Sequence, residues 1–420
     1  MKRILYVFLL FTVLSLPVFS QVQENPSGSN QDEHIITAIS VTGLKKTKPY
    51  VIEKLLQKYI GRVVEDIDIN DVYATIKDIN ILEPLSVEIT GNETSDGKTL
   101  VITVHEKWTI FPIPFFFINS SSWMVGGALI DTNAFGIMDL INLGGGYGSD
   151  SWTANLMYIR SPKAVGDFGF MFMGMFTDQE TEKTEQTGED VLQRFSSLNI
   201  SPGGSVSYLA TELINISFHF SYQYIMLTEK DNQINAPLND IHAFGLSPRI
   251  GLRKTSWDGY LVSEKSASLG FNYRFVIGVD DTQSVAFNAV YNHPIIPGFL
   301  VTTKAGVLYS SPTSSPFFES TLGSTVNILS SKYSVLNYAA ASVGLEKYLF
   351  KFSFGTVSIA AAYQLAYSDG NVLHNQFDHG PVATLQMYFS KLAIPGIGLG
   401  AAYNVDKNNF QFAANIGMAF

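Results

Sequence analysis

Along the C-terminal three quarters of the chain, apolar residues alternate with small or polar ones in segment after segment. Ile214, Ile216, Phe218, Phe220, Tyr222 and Tyr224 alternate with Asn215, Ser217, His219, Ser221 and Gln223. Ala267, Leu269, Phe271, Tyr273 and Phe275 alternate with Ser266, Ser268, Gly270, Asn272 and Arg274. The chain ends on the same pattern, with Phe410, Phe412, Ala414, Ile416, Met418 and Phe420 on one face and Gln411, Ala413, Asn415, Gly417 and Ala419 on the other. A period of two is that of a β-strand. One such strand fits a soluble sheet with its greasy face inward, or a membrane barrel with that face toward lipid. Repetition favours the barrel. Arg274 sets its register, because a guanidinium facing lipid at the midplane costs roughly 2–4 kcal/mol, so its face lines the lumen. About sixteen segments of roughly 9–14 residues, long enough to cross a bilayer when tilted, start near Ser122, Ile137, Ser151, Asp167, Val191, Glu212, Asp240, Glu264, Thr282, Gly298, Phe317, Asn337, Gly355, Gly380, Gly396 and Asn409. This predicts an all-β membrane barrel over residues 122–420, preceded by a linker at 108–121.

Upstream the pattern changes. Lys2 and Arg3, the apolar stretch Ile4 to Val18, and the small residues Val18 and Ser20 before Gln21 make residues 1–20 a signal peptide, which directs the chain out of the cytoplasm. Residues 21–33 are polar and read as a disordered linker. Residues 34–107 read as a small α/β domain in the order β-α-α-β-β. Pro49 opens a helix whose stripe is Val51, Ile52, Leu55, Leu56 and Tyr59 and which stops at Gly61; a second helix covers Asn70 to Ile79. Two strands follow, with Leu85, Val87 and Ile89, then Leu100, Ile102 and Val104, facing inward.

Composition narrows the choice. Charged residues make up only 15% of the chain and aromatics 13%, and no run after the N-terminus holds enough consecutive apolar residues for a membrane helix. Backbone groups in lipid must all be paired, which leaves a closed barrel as the spanning form. A net charge of −10 offers no basic surface for nucleic acid. With no cysteine, the chain has no disulfide, thiolate nucleophile or cysteine metal site.

Specific runs carry a resemblance. ISVTGLKKT, Gly61, ILEPLSVEI and LVITVHEK look like a polypeptide-transport-associated (POTRA) domain, the periplasmic module of the BamA/TamA-like outer-membrane assembly family. Trp123 to Gly136 (WMVGGALIDTNAFG) is similar to that family's first barrel hairpin, and VGLEKYLF, HGPVATLQMYF and IPGIGLGAAYNV with the terminal Phe420 to its last strands. The resemblance implies an outer-membrane barrel whose terminal residues Phe410, Phe412, Ile416, Met418 and Phe420 form an insertion signal. It also implies a lock, in which an Arg-Gly-aromatic motif before strand twelve pairs with an aspartate on strand thirteen. This chain has no Arg-Gly dipeptide. The slot aligns with Val335, Leu336, Asn337 and Tyr338, less well with Val326 to Leu329, and the aspartate position falls near Gln364. Joint loss is coherent, since either charge alone would keep its desolvation penalty, and it implies a loosely plugged lumen.

Other chemistry is thin. His374, Asp378 and His379 match no zinc spacing, there is no Gly-x-Ser-x-Gly elbow, and Gly144 to Gly148 lacks the spacing of a phosphate-binding loop and reads as packed strand. No enzyme activity and no cofactor is expected. Asp178 to Asp190 holds six acids and one lysine and reads as a solvated loop, on the periplasmic side by strand count, with ion or partner contact as the alternative. The function implied is assembly, insertion or translocation of outer-membrane polypeptides, with outer-membrane lipids, unfolded polypeptides and a periplasmic protein as partners. Client strands would add to a domain edge, either Leu85, Val87 and Ile89 or Ile36 and Ile39. The alternative is a passive pore or structural barrel that keeps the fold alone.

Overall fold

The computed structural model describes residues 35–416 except residues 78, 80, 92–96, 162–166, 212, 229–232, 236, 238, 259–260, 314–315, 323–324, 354 and 390–396. The predicted leader, the linker at 21–33, Met418 and Phe420 lie outside the described residues.

The N-terminal domain follows the predicted order: β1 (Ile35–Thr42), α1 (Pro49–Leu55), α2 (Ile69–Lys77), β2 (Leu82–Thr90) and β3 (Gly97–Glu106). Pro49 occupies the first turn of α1, where a missing N–H is harmless. After a short 3-10 turn, Gly61 ends the segment in the left-handed region at φ +79°. β3 is the central strand, parallel to β1 and antiparallel to β2. Ile36, Ile52, Leu56, Tyr59, Val72, Ile76, Leu100 and Ile102 close the core. Leu85 does not join them. The β2 register slips between Pro84 and Ser86, and this bulge turns Leu85 out to 61% exposure, while Val87 and Ile89 pack on the core.

The remaining chain closes into an antiparallel barrel of sixteen strands. These are β4 (Ile110–Asn119), β5 (Trp123–Ala134), β6 (Asp139–Gly148), β7 (Ser151–Arg160), β8 (Phe168–Thr184), β9 (Val191–Leu209), β10 (Ile214–Thr228), β11 (Ile241–Asp258), β12 (Leu261–Ile277), β13 (Thr282–Ile296) and β14 (Phe299–Ser310). The short β15 (Ser320–Thr321) and β16 (Ser334–Val335) pair only with each other. β17 (Asn337–Phe352), β18 (Gly355–Asp369), β19 (Gln376–Phe389), β20 (Ile397–Asn404) and β21 (Asn409–Ile416) then complete the ring. Phe218, Phe220, Leu269, Phe271, Phe275, Phe410 and Phe412 all stand exposed on the outer wall, the face a bilayer covers. No helix among the described residues is long and apolar enough to cross a membrane.

Two strand assignments change. The segment read as a linker is the first barrel strand, β4, so the barrel begins at Ile110. Its sequence IFPIPFFFIN has no alternation because both faces are apolar, and the ring of Phe115 lies against Gly126 and Gly146, which have no side chain to displace it. The segment read as a strand at Phe317 is a 3-10 turn, Pro316–Phe318, inside a long loop. One gained and one lost strand leave the count at sixteen, but every strand from β5 to β14 runs in the direction opposite to that expected. Residues 178–190 therefore lie at the end of the barrel away from the N-terminal domain. Gly144 to Gly148 falls in β6, as a packed strand.

Candidate functional site

A latch fixes the N-terminal domain to the barrel. Glu106 ends β3 with its carboxylate buried, accepting the backbone N–H groups of Lys45, Lys46 and Thr47 and the Thr47 hydroxyl. Burial raises its pKa, but these donors outweigh burial and hold the carboxyl below the usual range. From the barrel, Asn133 Nδ2 donates to Thr47 Oγ1 (2.7 Å) and Glu106 Oε1 (3.0 Å), and its Oδ1 accepts the Met138 N–H at 2.8 Å. Lys46 Nζ reaches Asp131 Oδ2 at 2.6 Å, and the Lys48 N–H donates to the Gly136 carbonyl at 2.8 Å. Gly136 has φ +71°, and a Cβ there would lie 2.1 Å from the Lys46 carbonyl oxygen. Within the run Asp131 to Gly136, Asp131, Asn133 and Gly136 thus each have a contact that requires them. The run forms the turn between β5 and β6, not the first hairpin, and it receives the Lys45 to Lys48 segment.

Both β1 and β2 are edges of the three-stranded sheet. The first residues of β1 are covered, since Ile36 N–H donates to the Arg62 carbonyl and Gly61 N–H to the Ile36 carbonyl. Ile36 is buried in the core and Ile39 packs on it, leaving the backbone of 38–42 as the uncovered run of that edge. The β2 edge is blunted by Pro84, the bulge at Leu85, and the exposed Glu83 and Glu88.

At the far end a lid fills the barrel mouth. From the connection between β14 and β17, Leu322, Val326, Ile328, Leu329, Tyr333 and Val335 reach into the lumen and pack on Ala340, Ala366, Val382 and Ala402 of the wall. Phe318 joins Ile225, Ile241, Ala243 and Val276, and the guanidinium of Arg274 lies 5.3 Å over the Phe318 ring. Arg274 faces inward as its register requires, but under an aromatic ring. The β8–β9 hairpin then bends over this loop: Lys183 Nζ pairs with Glu319 Oε2 at 2.7 Å, and Lys332 Nζ with Asp150 (3.2 Å) and Glu182 (3.4 Å). Arg194 holds Glu182 at 2.5 Å. The Glu185 carboxylate closes its own turn, accepting from the Thr187 hydroxyl and from the N–H groups of Thr187 and Glu189. Burial raises its pKa, and those donors more than reverse the effect, holding it below the usual range. The acidic run, expected to be a solvated loop, is split: Glu182 and Lys183 pair with Lys332 and Glu319 of the lid and Glu185 closes its own turn, while Glu180, Glu189 and Asp190 stand exposed.

The expected lock slot is also displaced. Val335 and Leu336 are buried and Asn337 and Tyr338 begin β17, but none of these four is the residue bonded to Gln364. Gln364 Oε1 accepts the Asn327 N–H at 2.6 Å, so the less favoured slot Val326 to Leu329 meets strand thirteen of the barrel. A neutral bond and an apolar cluster stand where the resemblance places the ion pair that this chain lacks. The lid packs into this end of the lumen without it.

Where the ring closes, β21 pairs with β4 from Ala413↔Asn119 to Ile416↔Phe116, where the described residues of β21 end, and the Ser120 N–H donates to the Phe412 carbonyl at 3.1 Å. Pro112 and Pro114, which carry no N–H, lie in the part of β4 without a β21 partner among the described residues. The lid straddles this seam. On the β4 side, Ser331 Oγ bonds Asn119 Nδ2 (3.1 Å) and Ser121 Oγ (2.9 Å); on the β21 side, Gln411 Nε2 donates to the Thr187 carbonyl at 2.9 Å. Ser330 N–H to Gln186 O and Thr184 N–H to Lys332 O join the two halves of the lid. Ile416 lies in the seam register, and Phe410 is 71% exposed on the outer wall. His379 and Asp378 point to opposite faces of β19, and no cluster of metal-binding side chains occurs among the described residues.

No protein-family model and no curated protein matches this sequence. Solved structures do match in fold. BamA from Haemophilus ducreyi lacking POTRA domains 1–3 aligns with a TM-score of 0.63 at 14% identity, covering 91% of this chain and 84% of that one. CdiB from Acinetobacter baumannii aligns at 0.64 and 11% identity, covering 92% and 74%. The fold is that of BamA and CdiB. CdiB from Escherichia coli gives the same answer, 0.63 at 12% identity over 91% and 76%. At these identities the likeness extends to the fold: a sixteen-strand transmembrane barrel carrying a small N-terminal α/β domain of POTRA type.

Proposed function

We propose that this chain is an outer-membrane protein whose N-terminal domain sits in the periplasm and which assembles, inserts or translocates outer-membrane polypeptides. The observation that carries the reading is the seam where the first barrel strand, β4, meets the last, β21, with hydrogen bonds from the lid on both of its sides, in a barrel of the BamA and CdiB fold. A client in extended form adds a strand to the uncovered β1 edge at 38–42, where backbone donors and acceptors give affinity without sequence demands. It is then handed to the seam, where β4 and β21 meet with no turn joining them, so that parting them leaves every hairpin of the wall intact. The proposed mechanism involves strand exchange only, with no bond-making chemistry and no cofactor. The lid packing weighs against a standing open pore.

The test uses the full chain in liposomes with an unfolded outer-membrane barrel as client. Insertion is faster than into empty liposomes, and Ala38→Lys with Thr42→Lys, which places charge beside the exposed β1 edge, slows it several-fold. In cells, depletion lowers the level of other outer-membrane barrels. Unchanged levels, together with steady conductance in planar bilayers, would replace this reading with the passive pore.

A further inference from the structure

The lid leaves a cavity of about 560 Å³ in the lumen, against the seam. Leu322, Val326 and Leu329 from the lid, Val382 from the wall, and Phe117 and Ala413 from the two sides of the seam give it apolar walls, and the polar side chains Asn119, Ser331, Gln364 and Gln411 that also line it are hydrogen-bonded within the protein. On the lumen wall opposite, β9 and β10 turn Asn199, Ser201, His219, Ser221 and Gln223 inward. One cation enters the cavity, Lys304 from β14. It forms no ion pair among the described residues, and Glu264, whose charge reaches it at longer range, is itself bonded to Arg253 at 3.4 Å. The volume lies in the range of about 300–1,000 Å³ typical of small-molecule sites.

We propose that this cavity binds a monoacyl anion of the fatty-acid class, with the carboxylate on Lys304 and the chain between the lid and the seam. A half-buried ammonium without a counter-ion calls for an anion, and apolar walls whose polar neighbours are already hydrogen-bonded within the protein suit an alkyl chain better than a sugar. Phe117 and Ala413 line the cavity from opposite sides of the seam, so the bilayer is the source and the seam the entry path. The larger apolar groove of about 710 Å³ on the outer wall, around Phe172, Pro202 and Phe220, faces bulk lipid and has no such charge.

The test uses the full chain in nanodiscs with a diazirine-bearing palmitate as probe and the matching palmityl alcohol as neutral control. Photolabelled peptides should map to 322–329, 382 and 411–413. Lys304→Gln should cut palmitate labelling there at least tenfold and leave alcohol labelling within twofold, Lys304→Arg should restore it, and Val382→Trp, which fills the cavity, should remove both labels. Labelling confined to outer-wall residues of the unmodified protein, or palmitate labelling indifferent to Lys304→Gln, would overturn the proposal. Client insertion is not the readout, so failure here leaves the assembly reading standing.

Discussion

The β8–β9 hairpin and the β21–β4 seam are opposite extremes of one wall. The hairpin ladder spans seventeen residue pairs, from Phe168↔Tyr208 to Thr184↔Val191, and a turn joins its strands; the seam brings together the first and last strands of the barrel with no turn between them. The hairpin is longer than a bilayer crossing needs, and its surplus, residues 181–193, extends past the last β7 pair, bends over the mouth and reaches the seam through Thr187 and Gln411. The longest ladder among the described residues thus braces the closure of the ring, and hydrogen bonds from the lid stand on both sides of it.

Locking the seam should have the largest effect. The chain has no cysteine, so Ile118→Cys with Ala414→Cys creates a single cross-strand pair within disulfide reach. Oxidation should abolish client insertion and reductant should restore it. The same operation on the hairpin, Phe170→Cys with Val206→Cys, should leave insertion unchanged. Next comes Lys183→Ala. It strands Glu319 inside the lid, where the two side chains are 9% and 13% exposed, and loss of one partner of a buried pair costs about 3 kcal/mol. Glu319 retains Ser334 and Asn371 as donors, which limits the loss. Frequent openings in planar bilayers are the expected trace; quiet bilayers would show that apolar packing alone holds the lid.

Removing the clasp is milder. Gln411→Ala with Ser331→Ala deletes hydrogen bonds worth about 1 kcal/mol each, raising the open population of the seam roughly tenfold or more while the hairpin is unaffected. The smallest effect is on pH. Glu106 has a depressed pKa in the folded latch, so its contribution is complete above the ordinary carboxylate value of about 4.3 and is lost as pH falls through the lower folded value. Thermal melts below pH 4 should separate the N-terminal domain from the barrel, and Glu106→Gln should remove that step.

The wall was legible in the sequence because alternation is local: Phe218 and Phe220 against His219 and Ser221 declare a strand and its outward face without any partner. β4 was not. Its inner face is apolar because Phe115 packs on the glycines of β5 and β6, a contact no period reveals, and its prolines read as linker although they mark a strand at a closure. The lid was misread for a related reason. Phe317, Phe318 and Leu322 are apolar because they fill the lumen, so they imitate a strand, and Lys183 meets Glu319 across 136 positions with nothing local to announce it. The missing Arg-Gly motif was read correctly from the sequence, but its consequence was not, because the replacement is spread over many small contacts. The Asp131 to Gly136 run was noticed as a pattern, and only the position of Lys46 and Glu106 explains it.

Hydrogen exchange of the full chain in nanodiscs tests the central claim most directly. Amides of 116–119 and 413–416 should exchange well before those of 170–176 in the hairpin, and Gln411→Ala with Ser331→Ala should speed the seam alone. Equal protection of seam and hairpin, or a seam unmoved by loss of the clasp, would contradict it.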